Sequence, residues 1–268
     1  VKPYFYLGTH KPGWLWRPDV NWPLFVSHRA LAGHVTLRPA TSGWALDSGG
    51  FTELCAYGEW RTTPEQYVRA VARYDREIGS LEWAAPQDWM CEPAIIARTG
   101  LSVAEHQRRT VANFLLLKDI WRAESAGECP FMPVLQGWQI DDYHRCAELY
   151  EQAGEHLEGY PIVGLGSVCR RQGTGEIAAL VRSLTPRYAL HGFGMKTRGL
   201  LAVGDRLESA DSLAWSYDAR HSPPLPGHPH KSCANCAVYA RRWRERLLDL
   251  LAGARRRGIQ QDLFAIAT

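Results

Sequence analysis

The stretch LDSGG at residues 46–50 closes a short apolar run with a carboxylate, a hydroxyl and two glycines. Paired glycines let the backbone turn sharply and let a ligand come close, so Asp47 stands where a strand ends and something else can approach. Other apolar runs finish in the same way. Asp88 follows EWAAP, Gln136 and Gly137 close FMPVLQ, residues 164–167 close PIVGLG, residues 191–194 close YALHGFG, and Asp211 closes LESAD. Residues of these types populate loops in most proteins, but so many coincident run ends point to one shared face. A second constellation, HPHKSCANC at 228–236, brings His228, His230, Cys233 and Cys236 together with one, two and two residues between them. That donor set suits tetrahedral zinc. With all four positions filled by protein, the site is structural and has no open coordination for water.

Eight strand candidates would carry the first constellation: YFYLG (4–8), PLFVS (23–27), WALD (44–47), EWAAP (82–86), FMPVLQ (131–136), PIVGLG (161–166), YALHGFG (188–194) and LESAD (207–211). Helical patterns lie between most of them. PEQYVRAVARYDREIG has Pro64 in its first turn, and the segment from Ser102 carries Glu105 three residues on, a capping box; DDYHRCAELYEQAG and TGEIAALVRSL continue the series. Strands alternating with helices argue a parallel sheet. Eight of them argue a closed (β/α)8 barrel, although a doubly wound open sheet would alternate too. The expected organisation is a catalytic barrel over 1–220, with a zinc-binding loop and C-terminal helix over 221–268 packed on it. In a barrel the carboxyl ends of the strands converge on the face that carries the chemistry.

Composition narrows the class. A chain of 268 residues that is 46% hydrophobic can bury a full core as one large domain. No apolar run reaches the roughly 18 residues of a membrane span, and VKPYFYLG lacks a signal-peptide pattern, so the expectation is a cytoplasmic protein. Of seven cysteines only Cys233 and Cys236 pair closely, which fits reduced thiols. A net charge of +3 is compatible with a nucleic-acid partner without demanding one. Arg241, Arg242, Arg244, Arg246 and Arg255 to Arg257 surround Leu247, Leu248, Leu250 and Leu251 on the last helix, an amphipathic pattern that reads first as a solvated face and second as a phosphate-contacting one.

Taken in order, LDSGGFTEL, QDWMCEP, VLQGW, VGLGS, HGFGMK and SADSLAWSYDAR resemble the tRNA-guanine transglycosylase superfamily, and most closely its deazapurine DNA-modification branch, the DpdA-type proteins. The resemblance covers roughly residues 4 to 245. It implies a (β/α)8 barrel with a zinc-binding extension, acting as a pentosyltransferase that exchanges guanine for a 7-deazaguanine without breaking the sugar-phosphate chain. Cleaving an N-glycosidic bond develops oxocarbenium character, which a carboxylate can trap as an ester while a second carboxyl manages the proton of the base. The resemblance sets Asp211 at the nucleophile and Asp47 at the general acid/base. It sets Asp88 at the amino and ring N–H edge of the purine, and Gln136 with the backbone of Gly164 and Leu165 at the carbonyl side. Phe51 would pack against the base, with Ser48 and Gly137 beside it in the same motifs and Trp89 or Trp138 as a further wall. Asp218 and Glu53 read as loop or salt-bridge residues.

One departure bears on the base. Where the tRNA enzymes that use an aminomethyl-deazaguanine carry a Glu, GLGSVCRR has Cys169. A neutral thiol does not offset a buried ammonium, which favours 7-cyano-7-deazaguanine. The implied partners are nucleic acid, DNA ahead of tRNA, and the deazaguanine base, with a homodimer or partner proteins of a modification system left open and no membrane. The alternatives are a related transglycosylase or N-glycoside hydrolase acting on tRNA or free nucleosides or nucleotides, and a non-catalytic nucleic-acid-binding barrel.

Overall fold

The computed structural model describes residues 2–125, 127–169, 171 and 175–266, with side chains described through Arg255. Arg170, Arg256 and Arg257, named above by their charge or motif, lie outside the described side chains. Eight parallel strands, β1 (Tyr4–Thr9), β2 (Leu24–Ser27), β3 (Trp44–Asp47), β4 (Leu81–Ala84), β5 (Val134–Leu135), β6 (Val163–Leu165), β7 (Leu190–Gly192) and β8 (Ser209–Ser212), form one sheet in the order β4-β3-β2-β1-β8-β7-β6-β5. Each of the eight expected runs overlaps one of these strands, with β1, β4 and β8 each reaching one residue beyond its run. The two ends of the sheet meet at a parallel bridge between Ala84 and Phe131, where the Ala84 N–H donates to Pro130 O at 2.8 Å and the Met132 N–H to Ala84 O at 3.2 Å. The sheet is thus curled onto itself, consistent with a (β/α)8 barrel.

Alternation along each strand sorts the side chains into two layers. Phe5, Leu7, Leu24, Val26, Trp44, Leu46, Leu135, Val163, Leu165, Leu190 and Ala210 belong to the large core between sheet and helices. Tyr6, Ala45, Trp83, Ala85, Met132 and Val134, with Phe25, Ile162 and Phe193, form a separate inner cluster. Asp47, Gln136 and Asp211 stand two residues beyond, or in step with, these inner positions. They therefore face the inside of the curl at its carboxyl end.

The helices cover the outside: α1 (His28–Leu31), α2 (Gly50–Tyr57), α3 (Pro64–Glu77), α4 (Pro93–Thr99), α5 (Val103–Glu124), α6 (Ile140–Gln152), α7 (Gly175–Leu184), α8 (Thr197–Val203), α9 (Ala214–Arg220) and α10 (Ala237–Ile266). A full capping box is on α3, where Thr63 and Gln66 cap reciprocally. On α5 only half of the expected box forms. Ser102 accepts from the Glu105 N–H, while the Glu105 carboxylate turns to Arg108 and Arg109, because two guanidiniums on the same face outcompete one backbone donor. Trp243, Leu247 and Leu251 bury α10 in the large core, Leu250 remains exposed, and Arg241, Arg242, Arg246 and Arg255 face solvent.

Glu53, expected in a loop or a salt bridge, forms an ion pair with Arg29 but is not solvated. It is buried, and its carboxylate accepts the N–H of Arg61 at 2.7 Å, the N–H of Thr62 at 3.2 Å and the Thr62 hydroxyl at 2.8 Å, with Arg29 at 3.6 Å. These bonds tie α2, which follows the DSGG turn, to the segment entering α3. Glu53→Ala strips the acceptor from two main-chain donors and is expected to lower stability by about 2–3 kcal/mol in denaturant unfolding; an unchanged unfolding midpoint would contradict this anchoring role.

Candidate active site

A cavity of about 490 Å³ opens at the carboxyl ends of the strands, and its lining includes Asp47, Ser48, Phe51, Asp88, Glu92, Gln136, Gly166, Ser167, Cys169 and Asp211. The DSGG turn supplies the first of these. Gly49 has φ 82 and its N–H donates to Asp47 Oδ1 at 3.1 Å, so the carboxylate caps the turn that presents it. A Cβ at Gly49 would lie 2.7 Å from Arg29 Cγ, so space as well as conformation requires glycine. Asp47 opens onto the cavity but is otherwise surrounded by protein. Burial pushes its carboxyl up, opposed by hydrogen bonds from the Gly49 backbone and Ser27 and reinforced by the charge of Asp211.

Asp88 and Gln136 form a bonded pair. Gln136 Nε2 donates to Asp88 Oδ2 at 2.5 Å, and Gln136 Oε1 lies 2.6 Å from Ser167 Oγ. The Gln136 side chain fits because Gly166 lacks a Cβ, which would sit 2.3 Å from Nε2. Its backbone carbonyl is held by Gln107 Nε2 at 2.7 Å. Burial pushes the Asp88 carboxyl up to about 7; Gln136 opposes the rise, and the charges of Asp47 and Glu92 add to it.

Asp211 is buried at the end of β8. Its Oδ1 accepts the Gly194 N–H at 2.8 Å and lies 3.3 Å from His191 Nε2. Asp218 stands elsewhere: it is exposed, and its Oδ2 accepts the Trp243 indole N–H at 2.8 Å, joining α9 to α10.

Three expectations shift. Among the described residues lining the cavity, the β6 segment contributes Gly166, Ser167, Val168 and Cys169 in place of Gly164 and Leu165. Leu165 points outward into the large core, and Gly164 lies deeper, where a Cβ would meet the Phe193 ring at 2.6 Å. Gly137 packs on α6, 2.6 Å from Asp142 Cβ to its would-be Cβ. Trp89 and Trp138 are not among the lining residues; Arg109 covers the ring of Trp89 at 4.6 Å and Arg171 that of Trp138 at 4.2 Å. Phe25, Phe51, Met90 and Phe193 supply the apolar walls instead.

Glu92 is the residue that the sequence reading passed over. It lies within the quoted QDWMCEP motif at the N-cap position of α4, yet its side chain makes no cap bond. It turns into the cavity wall, with Oε2 2.9 Å from Ser167 Oγ and Oε1 3.8 Å from Cys169 Sγ. Cys169 therefore has a carboxylate beside it. Ser167 holds this chain together from a left-handed backbone with φ 55, its Oγ also accepting the Cys91 N–H at 2.7 Å.

The second constellation assembles in part, as a group of His228, His230 and Cys236 that leaves out Cys233. Donor atoms of His228, His230 and Cys236 lie within 4.8 Å of one another, Cys236 Sγ is 3.6 Å from His228 Nδ1, and Cys233 Sγ is 3.1 Å from His230 Nε2. Nitrogen and sulfur on adjacent corners of a zinc tetrahedron are about 3.5 Å apart, so the two measured pairs fit such a site. No helix is long and apolar enough to cross a membrane among the described residues.

The chemistry available here is that of paired carboxyls with different proton affinities around a base-sized cavity. None of the curated proteins compared with the chain matches it. A protein-family comparison does match, over residues 1–263, to the family described as DpdA, DeoxyPurine in DNA protein A. The chain belongs to that family, the DpdA-type branch of the tRNA-guanine transglycosylase superfamily, and is a transglycosylase-type enzyme of DNA modification.

Proposed function

We propose that this chain replaces guanine in DNA with a 7-deazaguanine, 7-cyano-7-deazaguanine by preference, through a covalent glycosyl-aspartate. The observation that carries the reading is the convergence of Asp47, Asp88 and Asp211 on one cavity. The two contacts described for the Asp211 carboxylate fall on Oδ1, so Oδ2 is the atom assigned to attack. Oδ2 bonds to C1′ of the sugar as the bond from C1′ to the purine nitrogen breaks, and the departing guanine takes a proton from Asp47. A carboxyl whose proton affinity is raised by burial is suited to hold that proton. The deazaguanine then enters, returns its ring N–H proton to Asp47 and bonds to C1′, and the electron pair of the ester bond goes back to Asp211.

Asp88 accepts from the N–H edge of the base, and Gln136, whose amide nitrogen has a second hydrogen, donates to its carbonyl. Glu92 accepts from Ser167 and Cys169 and keeps lone pairs that a cation could use, so the preference for the uncharged cyano base rests on Cys169 alone. Residues 1–220 are the catalytic unit in this reading. Residues 221–268 carry a structural zinc held by His228, His230, Cys233 and Cys236, which would fix the loop against the barrel and supply no reaction chemistry.

Three outcomes test the proposal. Labelled guanine should leave duplex or single-stranded DNA when the cyano base is supplied; Asp211→Ala should abolish this exchange, and Asp47→Asn should slow it about a hundred- to ten-thousandfold. Exchange by Asp211→Ala at the wild-type rate would refute the mechanism. The second concerns pH. Below about 7 Asp88 keeps its proton and loses acceptor capacity, so KM for the base should rise as pH falls through 7; Asp88→Asn should bind base poorly at every pH, and a flat KM profile in the wild type would remove Asp88 from the site. For the metal, elemental analysis should find about one zinc per chain, and chelation should lower the melting temperature. A metal-free protein of undiminished stability would reject the site.

A further inference from the structure

His191 is an unusual residue for the middle of a barrel. It is fully buried, and its ring sits among aromatic neighbours: Trp83 at 4.6 Å, Phe193 at 4.8 Å, Phe25 at 5.9 Å and Tyr6 at 6.0 Å between centroids. A ring serving only to fill this space would be better as Phe, since an imidazole brings two nitrogens that must be satisfied. Both are satisfied, in one direction. Nδ1 lies 2.8 Å from Ser209 Oγ, and Nε2 lies 3.3 Å from Asp211 Oδ1. A carboxylate only accepts, so Nε2 carries the hydrogen. In the neutral ring Nδ1 must then accept the Ser209 O–H, and that bond fixes the tautomer. Ser209 and Asp211 are both inward residues of β8, and His191 is on the neighbouring β7, so the strand pairing itself builds the chain Ser209, His191, Asp211.

We infer that His191 is a positioning residue which, together with the Gly194 N–H, stabilises the Asp211 carboxylate as the leaving group when the covalent intermediate is discharged. The inference rests on the reading of Asp211 as nucleophile. In the glycosyl ester Asp211 is neutral; in the transition state that releases it, the bond from Oδ2 to C1′ is largely broken and the carboxylate charge has returned. Donors on Oδ1 are worth more to that charge than to the ester, so they speed discharge. In the forward attack the carboxylate is charged both before and at the transition state, and the same donors change the rate little. His191 thus divides the two half-reactions unequally. No further group is consumed: the electron pair returns to Asp211, and the incoming base forms the new bond to C1′ and gives its proton to Asp47.

The test separates the half-reactions by rapid quench. Adduct is first formed from protein and DNA, and its loss is then followed after addition of the free deazaguanine base. His191→Leu is expected to discharge about ten- to a hundredfold more slowly, with adduct formation changed only a few-fold and KM for the base unchanged, so adduct accumulates during turnover. His191→Gln, which keeps an N–H donor, should recover most of the rate. Ser209→Ala, which keeps the ring and loses only the tautomer partner, should be slowed less than His191→Leu. Discharge by His191→Leu at the wild-type rate overturns the inference. So does slowing of formation and discharge by the same factor, which marks a structural role. Should His191→Leu not fold, wild-type discharge by Ser209→Ala overturns it equally. Absence of any adduct from the wild-type protein would overturn the assignment of Asp211 itself, an outcome distinct from all of these.

Discussion

Four carboxyl groups, those of Asp47, Asp88, Glu92 and Asp211, share one cavity, and like charges at such close quarters repel strongly once water is thinned out. The protein meets this constraint group by group. The Gly49 N–H and Ser27 hold Asp47, Gln136 holds Asp88, Ser167 and Cys169 lie against Glu92, and the Gly194 N–H and His191 hold Asp211. Burial first, and the neighbouring charges second, raise the proton affinity of Asp47 and Asp88 beyond what these bonds offset, and there it is useful. A carboxyl that keeps its proton can give it to a departing base. A carboxyl near neutrality becomes a strong acceptor when the N–H edge of a base arrives.

The supports for these groups come from different strands and loops. Gln136 sits at the end of β5, Ser167 and Cys169 beyond β6, His191 on β7 and Asp211 on β8, with Glu92 at the entry to α4. The chain of contacts from Asp88 through Gln136 and Ser167 to Glu92 and Cys169 runs along one wall. The chain from Ser209 through His191 to Asp211 runs up through the interior of the curled sheet. The two networks meet at the cavity that a base would fill, and Gly194, whose N–H holds Asp211, also lies close to Cys169.

Much of this was legible in the sequence. The eight strands announced themselves because each apolar run ended in a polar residue or glycine, and the SADS and DSGG motifs carried Asp211 and Asp47 into the cavity. The departures have a common physical source. Motif alignment identifies a strand end but not which residues line the cavity: Gly164 and Leu165 were assigned by their backbone, while the β6 segment lines the cavity with Gly166, Ser167, Val168 and Cys169. The alternation of sides along β6 sends Leu165 into the outer core. Glu92 was invisible because a Glu before Pro93 reads as a helix entry, and nothing in one dimension says that its side chain will decline the cap. Glu53 was read as a loop or salt-bridge residue, and it does pair with Arg29, but its burial was not legible because the three further donors come from residues 61 and 62, across a turn that sequence spacing does not reveal.

The central claim is that Asp211 becomes bonded to the sugar of DNA. The direct measurement is peptide mapping by mass spectrometry of the denaturation-resistant complex formed by wild-type protein and guanine-containing DNA without free base. The account predicts a single modified peptide containing SADS, with the sugar attached at Asp211. Attachment at Asp218, Asp47 or any other residue would contradict it.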